Sequence, residues 1–245
     1  MLQSEAASKP DTNPSKFMER VTEKKGPLKV LVLGNSITQH DVSESKGWLG
    51  SWGMAATEES KDYVHLLKAM AEKKDRSVEF KWKNISEFEK YFYNFGEFNS
   101  GAYKELVNYD ADIIICTIGA NINNSSNEND QGFNSDKQFT EEAYQNIINF
   151  FNPYGDAGVI VGILPLTSYE IKETIKSSAE KNGQILVDMS ALTGDKYTAK
   201  PYADAPVFTA DVIPAVLGHP GDEAMKEMAN MLWPELSKLM DELKR

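Results

Sequence analysis

The chain has little cysteine, little histidine, a deficit of basic charge and no long apolar run. One cysteine in 245 residues excludes an intramolecular disulfide. Cys116 closes the apolar run Ile113-Ile114-Ile115-Cys116, the setting of a buried structural thiol rather than a reactive one. Three histidines offer few metal ligands. His65 falls in a helical stretch and His40 stands near Ser36 without a spaced partner, so neither metal nor cofactor is expected. With 26 lysines and arginines against 37 aspartates and glutamates, the net charge is −11. Such a chain lacks the electrostatic footprint of a nucleic-acid binder, and nucleic acid is not an expected partner. No segment is apolar enough, for long enough, to span a bilayer. Residues 1–27 are polar, carry Pro10, Pro14 and Pro27, and have no apolar signal core. They read as an arm, or as the mature end of a secreted or periplasmic chain whose signal was removed. Residues 28–245 read as one domain.

What the sequence does contain is a series of short buried strands alternating with helical patterns. Four consecutive apolar residues, Val30 to Leu33, predict a strand covered on both faces, and the run ends at Gly34-Asn35-Ser36. Further strands are expected over 78–82, 112–118, 159–164 and 185–189. Helices are expected over 62–73, from Phe139 to Phe151, from a Ser168 cap to Asn182-Gly183, and from about Pro220 to Leu243, with Pro234 as a possible kink. Strands alternating with helices predict an α/β fold with a parallel sheet covered by helices on both sides. Residues 39–61 hold Trp48 and Trp52 among three glycines and read as a long ordered loop beside Ser36. Those tryptophans either stack on a substrate or pin the loop down. The aromatic stretch Phe88, Tyr91, Phe92, Phe95, Phe98 reads as packing.

Three segments end strands or open helices on one edge of such a sheet: Gly34-Asn35-Ser36, Gly119-Ala120-Asn121 and Gly218-His219-Pro220. A serine thrown out at the end of a buried strand can offer its hydroxyl and its own N–H to one point, as acyl transfer needs. Pro220 suits a first helical position, which puts His219 at an N-cap, where the helix dipole disfavours the charged imidazole. A neutral imidazole there can serve as a general base. Each segment alone also reads as a turn or a cap.

Taken in order, the three segments resemble the blocks of the SGNH, or GDSL-like, hydrolase superfamily, and specifically its carbohydrate esterases. Gly34-Asn35-Ser36-Ile37-Thr38 stands where that family has Gly-Asp-Ser, with Asn for Asp. Gly119-Ala120-Asn121 fits its Gly-x-Asn-Asp block but departs at Ile122, and His219-Pro220 fits its last block. The resemblance implies a three-layer αβα, flavodoxin-like sheet, with Ser36 as nucleophile and His219 as base. The oxyanion donors it implies are the Ser36 N–H, the Ser86 N–H and the Asn121 carboxamide. Ser86 stands where the family usually has a glycine. Val216 stands where the family has its triad aspartate, and valine cannot orient an imidazole. Either a backbone carbonyl among Val216, Leu217 and Gly218 does so, giving a dyad, or Asp211 or Asp204 folds back as a third acid.

The expected function is therefore a serine esterase acting on O-acyl groups, acetyl foremost, of a carbohydrate or small-molecule ester, with Trp48 and Trp52 as substrate contacts. Two alternatives stay open. One is a non-catalytic carbohydrate-binding module on the same fold, and the other is an O-acyltransferase that hands the acyl group to a sugar.

Overall fold

In a computed structural model the described residues are 26–94, 100–123, 133–134 and 137–243. Most of the expected arm therefore lies outside them, as do Phe95, Phe98 and much of the polar stretch after Asn121. The central strands are β1 (Lys29–Gly34) and β3 (Ile113–Thr117). Every residue of both is buried except Lys29, because each strand has neighbours on either side and helices above and below. β2 (Glu79–Asn84) flanks β1 at one edge, while β6 (Gly158–Ile163) and β7 (Ile185–Asp188) extend the sheet beyond β3. All pairings are parallel, in the order β2-β1-β3-β6-β7. Two short strands, β4 (Ile122–Asn123) and β5 (Phe133–Asn134), pair separately.

The two-residue alternation of strand side chains divides the core into two layers. Val30, Val32, Ile113 and Ile115 point to one side, against α1 (Tyr63–Lys74) and the C-terminal helix Asp222–Glu242. Leu31, Leu33, Ile114 and Cys116 point to the other, against α2 (Ser86–Lys90), α4 (Glu141–Phe151) and α5 (Tyr169–Lys181). The remaining helices are the short α3 (Lys104–Val107) and α6 (Pro214–Leu217), which makes the C-terminal helix α7. The result is a three-layer αβα sandwich with a flavodoxin-like strand order.

Local signals explain the helix starts. Asp62, Thr140 and Ser168 are N-caps whose side chains accept from the N–H groups of His65, Ala143 and Ile171. α7 runs through Pro234 as one helix. No helix among the described residues is long and apolar enough to cross a membrane.

Successive connections leave β1 in opposite directions, toward β2 and toward β3, so the crevice between their carboxyl ends is the switch point of the sheet. Gly34 pairs with Thr117 at that end. Beneath it lies a closed set of hydroxyls. Thr38 Oγ1 and Tyr63 OH are 2.6 Å apart, and Tyr63 OH and Thr117 Oγ1 are 2.9 Å apart. Position 34 is glycine because a Cβ there would run into the Thr38 hydroxyl and come within 2.6 Å of Thr117 Oγ1.

A third apolar cluster lies beside the crevice. Trp48, Met54, Ala55, Ala199, Val207, Phe208 and Val216 fasten the loop after β1 to the irregular segment before α7.

Candidate active site

The chain leaves β1 in a tight turn built on Asn35. The Asn35 carbonyl accepts from the Thr38 and Gln39 N–H groups at 2.9 and 3.1 Å, and its side-chain Oδ1 accepts from the Ile37 N–H at 3.1 Å. The turn sets Ser36 half-buried at the crevice, with its carbonyl tied by the Met54 N–H at 2.9 Å. The Ser36 N–H has no acceptor among the described residues, so it stays available to a ligand.

His219 arrives from the opposite side. Its own N–H donates to the Val216 carbonyl at 3.0 Å and its carbonyl accepts from the Ala199 N–H at 3.1 Å, which fixes the backbone around the ring. Its Nε2 lies 3.1 Å from Ser36 Oγ. On the other edge of the ring, Nδ1 donates to the Ala215 carbonyl at 2.7 Å. A carbonyl can only accept, so Nδ1 carries the proton and Nε2 presents its lone pair to the serine hydroxyl. Burial is the main force lowering the His219 pKa below its ordinary value, with His40 and Lys46 adding to it and the Ala215 bond opposing it. The ring is thus kept neutral, as a base must be.

Two expectations about this histidine are corrected. The N-cap of α7 is Gly221, not His219, so desolvation rather than the helix dipole is the cause that counts. The orienting carbonyl belongs to Ala215, one residue upstream of the three considered. It occupies Nδ1, and the exposed Asp204 and Asp211 make no bond to the ring. Val216 points away, 1% exposed, into the cluster around Trp48.

Asn121 follows β3. Gly119 has φ of +128°, a backbone that L side chains rarely adopt, and a Cβ there would lie 2.6 Å from Ile175 Cδ1. That turn brings the Gly119 N–H to Glu89 Oε1 at 2.6 Å. The Asn121 N–H reaches the same oxygen at 3.3 Å, while Asn121 Nδ2 donates to Oε2 at 2.6 Å. Asn35 Nδ2 completes the set on Oε1 at 3.2 Å. Glu89 is fully buried. Burial pushes its carboxyl up from the usual range, and its four N–H partners pull the other way.

The Ser86 N–H, expected as an oxyanion donor, donates instead to Asn84 Oδ1 at 2.9 Å and opens α2. It is an Asx turn, with its donor already spent. Trp48 is 0% exposed, edge-on to Trp52 and against Phe208, so it is core and not a substrate contact. Trp52 is half-buried, with its Nε1 donating to the Ala56 carbonyl at 2.9 Å. Of the other histidines, His65 is held by Asp62, with Nδ1 to Oδ2 at 2.8 Å, and His40 by the Asp41 carbonyl at 2.6 Å.

Sequence reasoning missed Glu89. Its signal was an acidic residue on an apolar helical face, four residues after Ile85 and three before Phe92, both buried. The Ala215 carbonyl had no side-chain signal at all.

In sequence, the chain matches no protein family and no curated protein. In structure it is similar to several esterases and hydrolases. One is a carbohydrate esterase family 2 enzyme with a carbohydrate-binding domain from Corynascus thermopiles (Myceliophthora fergusii). It aligns at TM-score 0.52 and 12% identity over 89% of this chain and 68% of that one. An α/β hydrolase from the metagenome of Lake Arreo, Spain, aligns at TM-score 0.50 and 14% identity over 88% and 98%. A two-domain esterase active on acetylated mannans aligns at TM-score 0.49 and 17% identity over 94% of this chain and 53% of that one. The chain spans about half the length of that esterase. At such identities the likeness is one of fold alone.

Proposed function

We propose that this protein is a serine ester hydrolase that removes O-acyl groups, acetyl foremost, from a carbohydrate. The observation that carries the reading is the chain of contacts from Ser36 Oγ to His219 Nε2 at 3.1 Å and from His219 Nδ1 to the Ala215 carbonyl at 2.7 Å. A merely capping histidine has no need of both. The carbohydrate part of the reading draws on the family 2 esterase that shares the fold.

The chemistry follows from the tautomer. Ser36 Oγ attacks the ester carbonyl carbon as its proton passes to His219 Nε2. The resulting imidazolium keeps its Nδ1 bond to Ala215, whose carbonyl dipole favours the charge. The Ser36 N–H and one Nδ2 proton of Asn121 hold the oxyanion. His219 then protonates the departing alcohol oxygen, leaving the acyl group on Ser36. Water attacks that ester with its proton passing to Nε2, and Ser36 takes a proton back as the acid leaves.

The test is hydrolysis of p-nitrophenyl acetate and of an acetylated mannan by wild type and Ser36→Ala, with a fluorophosphonate probe to label the nucleophile. Wild type should turn over and take the label, and Ser36→Ala should do neither. Labelling that persists in Ser36→Ala overturns the assignment. A wild type that binds glycan without turnover makes the protein a binding module. An acetylated product formed when a free sugar is added makes it a transferase.

A further inference from the structure

We infer that Glu89 is a positioning residue for this chemistry, holding the Asn121 carboxamide so that one Nδ2 proton stays turned toward the reacting ester beside Ser36. The inference rests on the reading of Ser36 and His219 as an ester-cleaving pair.

Three observations carry it. First, Glu89 gathers the two loops that meet at the sheet's switch point. It accepts from Asn35, which precedes Ser36, and from Gly119 and Asn121 across the crevice. Second, the set is chemically complementary: four N–H donors face two oxygens that, when ionised, only accept. The orientation of the Asn121 amide is therefore decided by its partner. Nδ2 must face Glu89, with Oδ1 turned away. One Nδ2 proton is committed to Oε2 at 2.6 Å, which leaves the other to project from a fixed plane. Third, the arrangement is costly unless something needs it. A carboxylate with no exposed surface is far more expensive to keep than an apolar residue of similar size, and neighbouring Phe88 already fills the core there. A buried carboxyl group that fixes a second donor, beside the Ser36 N–H, has such a use.

Glu89→Gln is the informative change. A carboxamide has one accepting oxygen and presents N–H groups on its other side. With its oxygen kept toward Gly119, its amide faces Asn121 Nδ2, donor against donor. Asn121 must then turn over or withdraw, and the oxyanion loses its aligned N–H. Losing one such donor costs on the order of 100-fold or more in kcat.

The experiment measures kcat and KM on p-nitrophenyl acetate for wild type, Glu89→Gln, Asn121→Ala and the double variant, with Ser36→Ala as blank. If Glu89 acts through Asn121, each single variant loses roughly 100-fold in kcat at little-changed KM. The double variant is then hardly worse than Asn121→Ala. Losses that multiply in full, a change confined to KM, or an unaffected Glu89→Gln would overturn the inference while leaving the esterase reading standing. Absence of any Ser36-dependent turnover in wild type would overturn both. Should Glu89→Gln fail to fold, amide hydrogen exchange on wild type decides. The Gly119 and Asn121 N–H groups should exchange as slowly as strand amides, and exchange at exposed-loop rates refutes the anchoring.

Discussion

The sharpest consequence of the site concerns what orients His219. Nδ1 has a single proton, and the Ala215 carbonyl takes it at 2.7 Å. That carbonyl lies in α6, whose Val216 is locked into the cluster with Trp48 and Phe208. A third acid has nothing left to bind. Asp204→Asn and Asp211→Asn, and the two combined, should therefore keep kcat within about threefold of wild type, as exposed substitutions away from the chemistry do. Were either aspartate part of a triad, its amide would favour the wrong tautomer. Losses near 10⁴-fold are then expected, or about 5 kcal/mol of transition-state stabilisation. Steady-state hydrolysis of p-nitrophenyl acetate separates these outcomes by three orders of magnitude or more. A near-UV circular dichroism spectrum confirms that each variant is folded. A 10⁴-fold fall in any folded variant would refute the carbonyl as the orienting group.

Three further outcomes follow from the same geometry. Desolvation lowers the His219 pKa, and the base works only when neutral, so the acid limb of kcat/KM should fall below the ordinary histidine value of about 6.5; a limb above it would contradict the desolvation of this half-buried ring. Val216→Asp, which a family comparison would suggest as a repair, should instead bury an unpaired carboxylate and cost about 3 kcal/mol or more, read as a lower urea midpoint; a more active and equally stable variant would show that the loop takes another path. Gly34→Ala should force a methyl onto the Thr38 and Thr117 hydroxyls and destabilise by about 1–3 kcal/mol, and an unchanged melting temperature would mean that the turn is looser than described.

Much of the fold could be read from the sequence, because buried parallel strands write themselves as unbroken apolar runs. Val30 to Leu33 and Ile113 to Cys116 carry that signal, and Ser168 announces its helix by a capping side chain. The site was legible only where a side chain does the work. Ser36 and His219 could be singled out, and the structure sets them 3.1 Å apart. The orienting group could not, since a backbone carbonyl leaves no trace in residue identity. Trp48 misled for a related reason. A tryptophan between glycines looks the same whether it lines a cleft or plugs the gap behind it, and only packing against Phe208 and Val216 decides.

Asn35 could be read as a departure from a family pattern, but its reason lies in a residue 54 positions away. Its Nδ2 donates to Glu89 Oε1 at 3.2 Å, so an aspartate at that position would set two buried carboxyls face to face. Only one of such a pair can ionise cheaply, and the other retains its proton well above its usual pKa. Asn35→Asp should accordingly behave like wild type in mild acid, where the retained proton bridges the two groups in place of the amide. It should lose activity and melting temperature as the pH rises and that proton leaves. The sign follows from linkage: an acid whose folded pKa is raised holds more protons in the folded state, so stability falls with increasing pH through that window. Melting temperatures and kcat measured from about pH 5 to pH 8 would show a steeper decline in Asn35→Asp than in wild type, where Glu89 is the one raised carboxyl of the pair. Parallel profiles for the two proteins would mean that position 35 does not face Glu89, and the pairing of the two loops through that carboxylate would fall with it.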